Sequence, residues 1–237
     1  MSIYISASLL EDFISCNRKV YYRINKPELQ IQNTEMVLGE IVHSAIEKFS
    51  DNLEKGFDFI DKQIDLRLEG SPTGKGFAQN CFNTYFEHFA RFTTPNDSIE
   101  IRFKLPWDKD VFLVGKIDRI SDGNVFDWKT ARNPATNIDG NIQFILYHYA
   151  YKHMYNKIPS GVFYAALTTG KLIRYGHDEA AQRTLFNEII PQAVLAIRKG
   201  DFTRSGIFRR ACFKCSYKED CLKEFEHGMD STTSIKK

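Results

Sequence analysis

The chain contains no apolar run approaching the roughly 20 residues that would span a bilayer, so no membrane partner is expected. It carries little net charge. Its 32 Lys and Arg stand against 30 Asp and Glu, leaving +2, so an anionic partner has to be met by a local patch. A signal-peptide layout is absent because Glu11 and Asp12 interrupt the first apolar stretch, which makes a cytoplasmic chain the expectation. No internal repeat or interdomain linker breaks the 237 residues, so residues 1–237 are expected to form one domain. Cysteine is scarce, at five residues, and in a reducing compartment these read as metal or cluster ligands rather than disulfides. What is present is 43% hydrophobic and 14% aromatic residues, enough to bury a core and to exclude a disordered class.

The periodicity predicts helices over 8–22, 36–49, 57–69, 76–92, 139–156 and 178–199. Ser8 and Glu11 form a capping-box pattern at the first of them. Strands are expected at 98–105, twice within 110–130, at 162–167 and at 171–176. The Gly70–Gly76 stretch fails the spacing of a phosphate loop and reads as a turn. Helices around a mixed sheet, α/β or α+β, fit this order, with a disordered tail at 230–237.

Residues 111–130 carry the sharpest chemical signal. Asp122-Gly123 between two apolar runs is the preferred two-residue type I′ hairpin loop, since both central positions need positive φ. That loop pairs Ser121 with Asn124 and, counting back, Asp118 with Asp127. Directly opposed carboxylates repel, so the pattern costs stability unless a cation sits between them. Oxygen ligands of this kind suit Mg²⁺ or Mn²⁺. Lys129, two residues past Asp127, shares its face and completes a patch able to hold a phosphate. The competing reading is a solvated hairpin face bearing two exposed aspartates.

Three further groupings accompany the hairpin. His43 lies at the edge of an apolar helical stripe, and Gly39 one turn earlier is expected to leave open space beside the imidazole. Gln143 and Tyr147 share a helix face; both can bond phosphate, and a tyrosine ring can stack on a base. Cys212, Cys215 and Cys221 form C-x₂-C-x₅-C, an incomplete four-thiolate site. Cys16 is the preferred fourth ligand, because Cys81, the alternative, falls inside an apolar helical pattern. Four thiolates suit structural Zn²⁺ or an iron–sulfur cluster, and spacing does not separate the two. Residues 1–24 and 200–225 would together make this cluster region. Around it Arg18, Lys19, Arg23, Arg198, Lys199, Arg204, Arg209, Arg210 and Lys214 mix with Phe202, Phe208 and Phe213, a composition that suits a single-stranded nucleic acid.

Taken in order, these residues resemble the motifs of the PD-(D/E)XK nuclease superfamily, in its RecB-like branch. The matching segments are Gly-Glu-Ile-Val-His43, Gly-Lys-Ile-Asp118-Arg, Asp127-Trp-Lys129 and Gln143-x₃-Tyr147. Cys16 with Cys212, Cys215 and Cys221 resembles the split [4Fe–4S] site of iron–sulfur members such as the AddB nuclease domain and small CRISPR-associated exonucleases. One departure is Asn17, where such proteins often have proline. The resemblance implies a restriction-endonuclease-like mixed sheet flanked by helices, with a C-terminal cluster segment. It implies a metal-dependent DNA nuclease, an exonuclease on single strands or DNA ends. Mg²⁺ or Mn²⁺ would be held by His43, Asp118, Asp127 and the Trp128 carbonyl; Lys129 would orient the attacking water, and Gln143 and Tyr147 would position the strand. Arg18, Arg23, Tyr147, Arg209 and Arg210 are the expected DNA contacts. Two alternatives accompany this reading. One is an end-processing subunit of a CRISPR adaptation or recombination complex. The other is a cluster-bearing nucleic-acid-binding module without catalysis.

Overall fold

The computed structural model describes residues 2–30, 32–94, 96–207 and 211–226, so the tail expected at 230–237 lies outside it. In chain order the first elements are β1 (Ile3–Ile5), α1 (Ala7–Ser15), α2 (Asn17–Asn25), α3 (Thr34–Phe49), α4 (Leu53–Arg67) and α5 (Pro72–Thr84). Next come β2 (Ser98–Asp108), β3 (Val111–Ser121), β4 (Asn124–Lys129), α6 (Ile142–Tyr155), β5 (Gly161–Ala166) and β6 (Lys171–Arg174). The last are α7 (Glu179–Thr184), α8 (Ile190–Lys199) and α9 (Lys218–Glu226). The strands form a mixed sheet in the order β1-β3-β4-β5-β6, with β2 also paired to β3. Pairing is parallel for β1 with β3 and β4 with β5, and antiparallel for β3 with β4 and β5 with β6. This is the α/β architecture expected, a central mixed sheet flanked by helices. Among the described residues no helix is long and apolar enough to cross a membrane.

Side-chain caps decide where most helices begin. Ser6, Asn33, Asn52, Ser71, Asn141 and Asp178 each accept a hydrogen bond from a backbone N–H of the first turn that would otherwise lack a partner. The first cap is therefore Ser6 and not Ser8. The helix expected over 8–22 is broken at Cys16, whose extended backbone (φ −170°, ψ 118°) ends α1 and starts α2. The expected turn at Gly70–Gly76 is instead the start of α5, because Pro72 suits the first helical position. In the helix expected over 178–199, Leu185–Ile189 widens into a π turn before α8. Pro191 has no N–H to return to the preceding turn, which accounts for the break there.

Contacts group the chain into two compact units. One comprises Met1–Ile31, Lys104–Val114 and Asp178–Lys237; the other comprises Gln32–Phe103 and Gly115–His177. In the second unit α3, α4 and α5 bury Leu38, Ile41, Ile60, Ile64 and Phe82 in one core with Phe126 and Trp128 of β4. Alternation along β4 then turns Asp127 to the opposite face, towards α6. The close approach of α4 to α5 requires Gly56. A Cβ there would lie 1.9 Å from Cε1 and 2.2 Å from Cζ of the Phe82 ring.

In the first unit the polar centre is Glu224 on α9. It accepts hydrogen bonds from Tyr22 Oη at 2.7 Å and Lys26 Nζ at 2.6 Å, and it pairs with Arg18. The Tyr22 ring stacks on Tyr217 with centroids 5.0 Å apart. Burial alone would raise the Glu224 pKa, but hydrogen bonds from Lys26, Arg18 and Tyr22 pull it down to about 2.

Two stability predictions follow from these contacts. Gly56→Ala adds about 1 kcal/mol of helix propensity, but overpacking Phe82 costs about 1–3 kcal/mol. Urea unfolding should therefore show a lower midpoint for the variant; an unchanged or higher one would mean that the ring yields freely. Glu224 has a folded pKa below its ordinary 4.5, so its contribution is fully present above that value and is lost as pH falls toward about 2. Glu224→Gln should destabilise by on the order of 2 kcal/mol at neutral pH. The melting temperatures of the variant and the parent should converge as the pH drops through that window.

Candidate active site

The β3–β4 loop adopts the expected geometry, with φ 46° at Asp122 and φ 76° at Gly123. The register is Ser121 to Asn124, Ile120 to Val125 and Arg119 to Phe126, and one more step sets Asp118 across from Asp127. Both carboxylates are buried, at 6% and 1% exposure. The solvated-face reading is thereby excluded.

The two aspartates are held in unlike ways. Asp118 Oδ2 accepts a hydrogen bond from the Trp128 N–H at 2.9 Å and lies 3.5 Å from His43 Nδ1. Burial works against its charge, but the positive His43 beside it wins and lowers the Asp118 pKa. Asp127 is raised instead, by burial first and by the like charge of Asp118, against the opposing pull of Lys129. Asp127 Oδ1 receives Gln143 Nε2 at 3.0 Å and sits 3.1 Å from Tyr147 Oη. Its other oxygen, Oδ2, has the Lys129 ammonium beside it at 2.7 Å but takes no hydrogen bond of good geometry from the described residues. Burial disfavours the Lys129 ammonium, yet the charge of Asp127 overrides this and raises its pKa.

His43 reaches this patch from α3. Burial would lower its pKa, but the charge and hydrogen bond of Asp118 raise it. The space expected beside it at Gly39 is open, since both residues line one cavity. A Cβ at Gly39 would meet Thr130 Oγ1 at 3.2 Å, so this glycine lets α3 approach the end of β4. A cavity of about 770 Å³ opens here, lined by Gly39, His43, Glu100, Lys116, Trp128 and Lys129 among others.

Gln143 and Tyr147 belong to this site but lie behind Asp127. Gln143 Nε2 also donates to Tyr147 Oη at 2.7 Å, and Tyr147 donates to the Lys116 carbonyl at 2.6 Å. The Tyr147 ring is 4% exposed, edge-on to Phe103 and Phe144. The base-stacking and DNA-binding part expected of Tyr147 is therefore corrected: a ring buried on both sides has no face to offer a base.

Glu100 is the residue that sequence reasoning missed. It pairs with Lys116, and a ligand atom of Glu100, one of His43 and one of Asp118 all lie within 4.8 Å of one another. On β2 it alternates with Ile99 and Ile101, which reads as a solvent-facing position, and its φ of 54° leaves no trace in the sequence.

In the other unit Cys16, Cys212, Cys215 and Cys221 line one cavity of about 580 Å³. The chain passes so close that a Cβ at Gly206 would lie 3.1 Å from Cys16 Sγ. Burial pushes the Cys215 thiol up, helped by the neighbouring Cys16 and Cys212 thiols and opposed by the Tyr217 N–H and the Lys19 charge. Cys81 does not line this cavity; it lies in the α3–α5 core, where burial pushes its thiol up to about 12. Arg18 is not free to hold DNA, since it is buried against Glu224 with its guanidinium 4.2 Å from the Tyr21 ring centroid. Arg23 is likewise engaged, by Asp12 at 2.6 Å. Arg209, Arg210 and Phe208 lie outside the described residues.

The donor set at the hairpin fits a hard divalent cation: two buried carboxylates, one with an oxygen lacking a hydrogen bond, and a nearby imidazole. An ammonium stands beside it, able to meet a phosphate. A search of curated proteins finds no match to the chain. The family model of the PD-(D/E)XK nuclease superfamily matches residues 4–222, and the chain belongs to that superfamily.

Proposed function

We propose that this protein is a metal-dependent exodeoxyribonuclease acting on single-stranded DNA or DNA ends, with a structural [4Fe–4S] cluster in its cysteine-lined cavity. The observation that carries the hydrolytic part is the convergence of Asp118, Asp127 and Lys129 at the end of one hairpin beside an open cavity. When bound, Mg²⁺ or Mn²⁺ polarises the scissile phosphate and lowers the pKa of the attacking water. Asp118, Asp127 and His43, whose Nδ1 lies 3.5 Å from Asp118 Oδ2, would hold that ion, with the Trp128 carbonyl as a further donor.

The protein's own groups divide the remaining work. Gln143 and Tyr147 fix Asp127 Oδ1, so its other oxygen, beside the Lys129 ammonium, keeps one direction. Lys129 stays protonated and brings a positive charge to where negative charge builds on the phosphate. The buried Cys16, in a tight extended corner, and the half-buried Cys212, Cys215 and Cys221 would supply four soft ligands for a cluster.

Asp118→Asn, Asp127→Asn and Lys129→Met should each lower metal-dependent DNA hydrolysis by about 10²-fold or more. Far-ultraviolet circular dichroism should show each variant folded. The assay is digestion of 5′- and 3′-labelled linear strands against closed single-stranded circles. Linear strands should be degraded from an end and circles spared; equal cleavage of circles would replace the exonuclease with an endonuclease. Full activity in any two of these variants would overturn the site.

For the cluster, anaerobically purified protein should contain iron and inorganic sulfide. Cys16→Ser should lose both as completely as Cys215→Ser, whereas Cys81→Ser should keep them. Stoichiometric zinc without iron would replace the cluster by a four-thiolate zinc site.

A further inference from the structure

We infer that Lys116, held in place by Glu100, is the substrate contact for the phosphate one nucleotide away from the scissile one. This inference rests on the nuclease reading and deepens it. Lys116 and Asp118 are two residues apart on β3, so their side chains leave the same face of the strand. Two residues along a strand cover about 6.6 Å, close to the separation of neighbouring phosphates in a polynucleotide. For DNA lying along β3 with its scissile phosphate at Asp118, the next phosphate comes level with Lys116. Among the described residues the Lys and Arg side chains that line the cavity are Arg67, Lys116 and Lys129. Lys129 stands beside Asp127, and Arg67 is taken by Glu40 at 2.6 Å. Of the three, only Lys116 shares a strand with Asp118.

Both ends of Lys116 are fixed. Its carbonyl accepts a hydrogen bond from Tyr147 Oη at 2.6 Å, and its ammonium pairs with the Glu100 carboxylate. Glu100 reaches it from β2 through a backbone at φ 54°, a conformation that costs a non-glycine residue energy and that recurs at functional sites. An ammonium has three N–H donors, so pairing with one carboxylate leaves others for a phosphate oxygen. The Lys116 side chain is 43% exposed and lines the cavity, so those donors are within reach of a strand entering it. Glu100 acts as a positioning residue. It removes the freedom of a long flexible side chain before substrate arrives, which lowers the entropy lost on binding.

The test combines strand binding with substrates neutralised at single linkages. In chelator, fluorescence anisotropy with a single-stranded oligonucleotide should show that Lys116→Met lowers the slope of log affinity against log salt by about 0.7, the share of one phosphate. With Mg²⁺ and labelled linear strands, Lys116→Met should raise KM roughly 10-fold with kcat nearly unchanged. Lys116→Arg should restore KM, and Glu100→Gln should raise it by less than Lys116→Met does. An uncharged methylphosphonate linkage, placed next to the scissile bond on one side or the other, should cost the parent about the same 10-fold in kcat/KM and cost Lys116→Met nothing. An unchanged KM in Lys116→Met, or a methylphosphonate penalty that persists in it, would overturn the inference and leave the nuclease reading standing. A kcat loss of about 10²-fold at unchanged KM would assign Lys116 to the chemical step and overturn it as well. A parent that hydrolyses no DNA with Mg²⁺ or Mn²⁺ would overturn both.

Discussion

Two carboxylates set across from each other in a buried patch repel, and the surroundings of the β3–β4 hairpin answer that repulsion. If both environments were alike, one carboxyl would have to take up a proton, as close acid pairs do. The protein makes them unlike. Asp118 is given a backbone N–H and a histidine, which stabilise its charge. Asp127 is left more deeply buried with an amide on one oxygen and a lysine on the other, and its pKa rises. A divalent cation between them would remove the conflict for both at once.

Helices pay into this arrangement from both faces of the sheet. Trp128 belongs to the α3–α5 core, which fixes β4 so that Asp127 must face α6. Gly39 lets α3 come close enough to Thr130 for His43, one turn on, to reach Asp118. On α6, Asn141 caps the helix and so sets Gln143 and Tyr147 at the first two turns, where they meet Asp127. Core packing and site geometry are thus one constraint, and Gly39 serves both, admitting Thr130 on one side and lining the cavity on the other.

What was legible in the sequence follows the range of the forces involved. The hairpin was readable because Asp122-Gly123 is a local backbone requirement that fixes register without help from the rest of the chain. The four cysteines were readable as a group because thiol chemistry needs no knowledge of the path between them. The break at Cys16 was not, since apolar periodicity runs through it and only the extended backbone interrupts the helix. The burial of Tyr147 and Arg18 was also hidden: a residue type announces what it can bind, while partners such as Glu224 and Asp127, distant in sequence, decide what it does bind. Glu100 failed for a combined reason, a strand alternation that suggests solvent and a positive φ that no local pattern encodes.

The cysteine-lined unit poses a different physical problem. It is assembled from three stretches of chain, with the whole of the second unit threaded between them. Bringing residue 16 to residue 212 closes a loop of 196 residues, at an entropic cost on the order of 4–5 kcal/mol in a flexible chain. Part of the compensation is visible in the Glu224 cluster, which ties α9 to α2 through Arg18, Tyr22 and Lys26. A short polar network is thin compensation for so long a closure. Buried apolar side chains of the same unit, Leu9, Leu10, Val20, Leu113 and Ile190 among them, supply more, and a metal centre at the four thiols lining one cavity would add its ligand bonds to the folding free energy. Such a centre would hold the first and last segments of the chain together without touching the phosphodiester chemistry, leaving Asp118, Asp127 and Lys129 free to be tuned for catalysis alone.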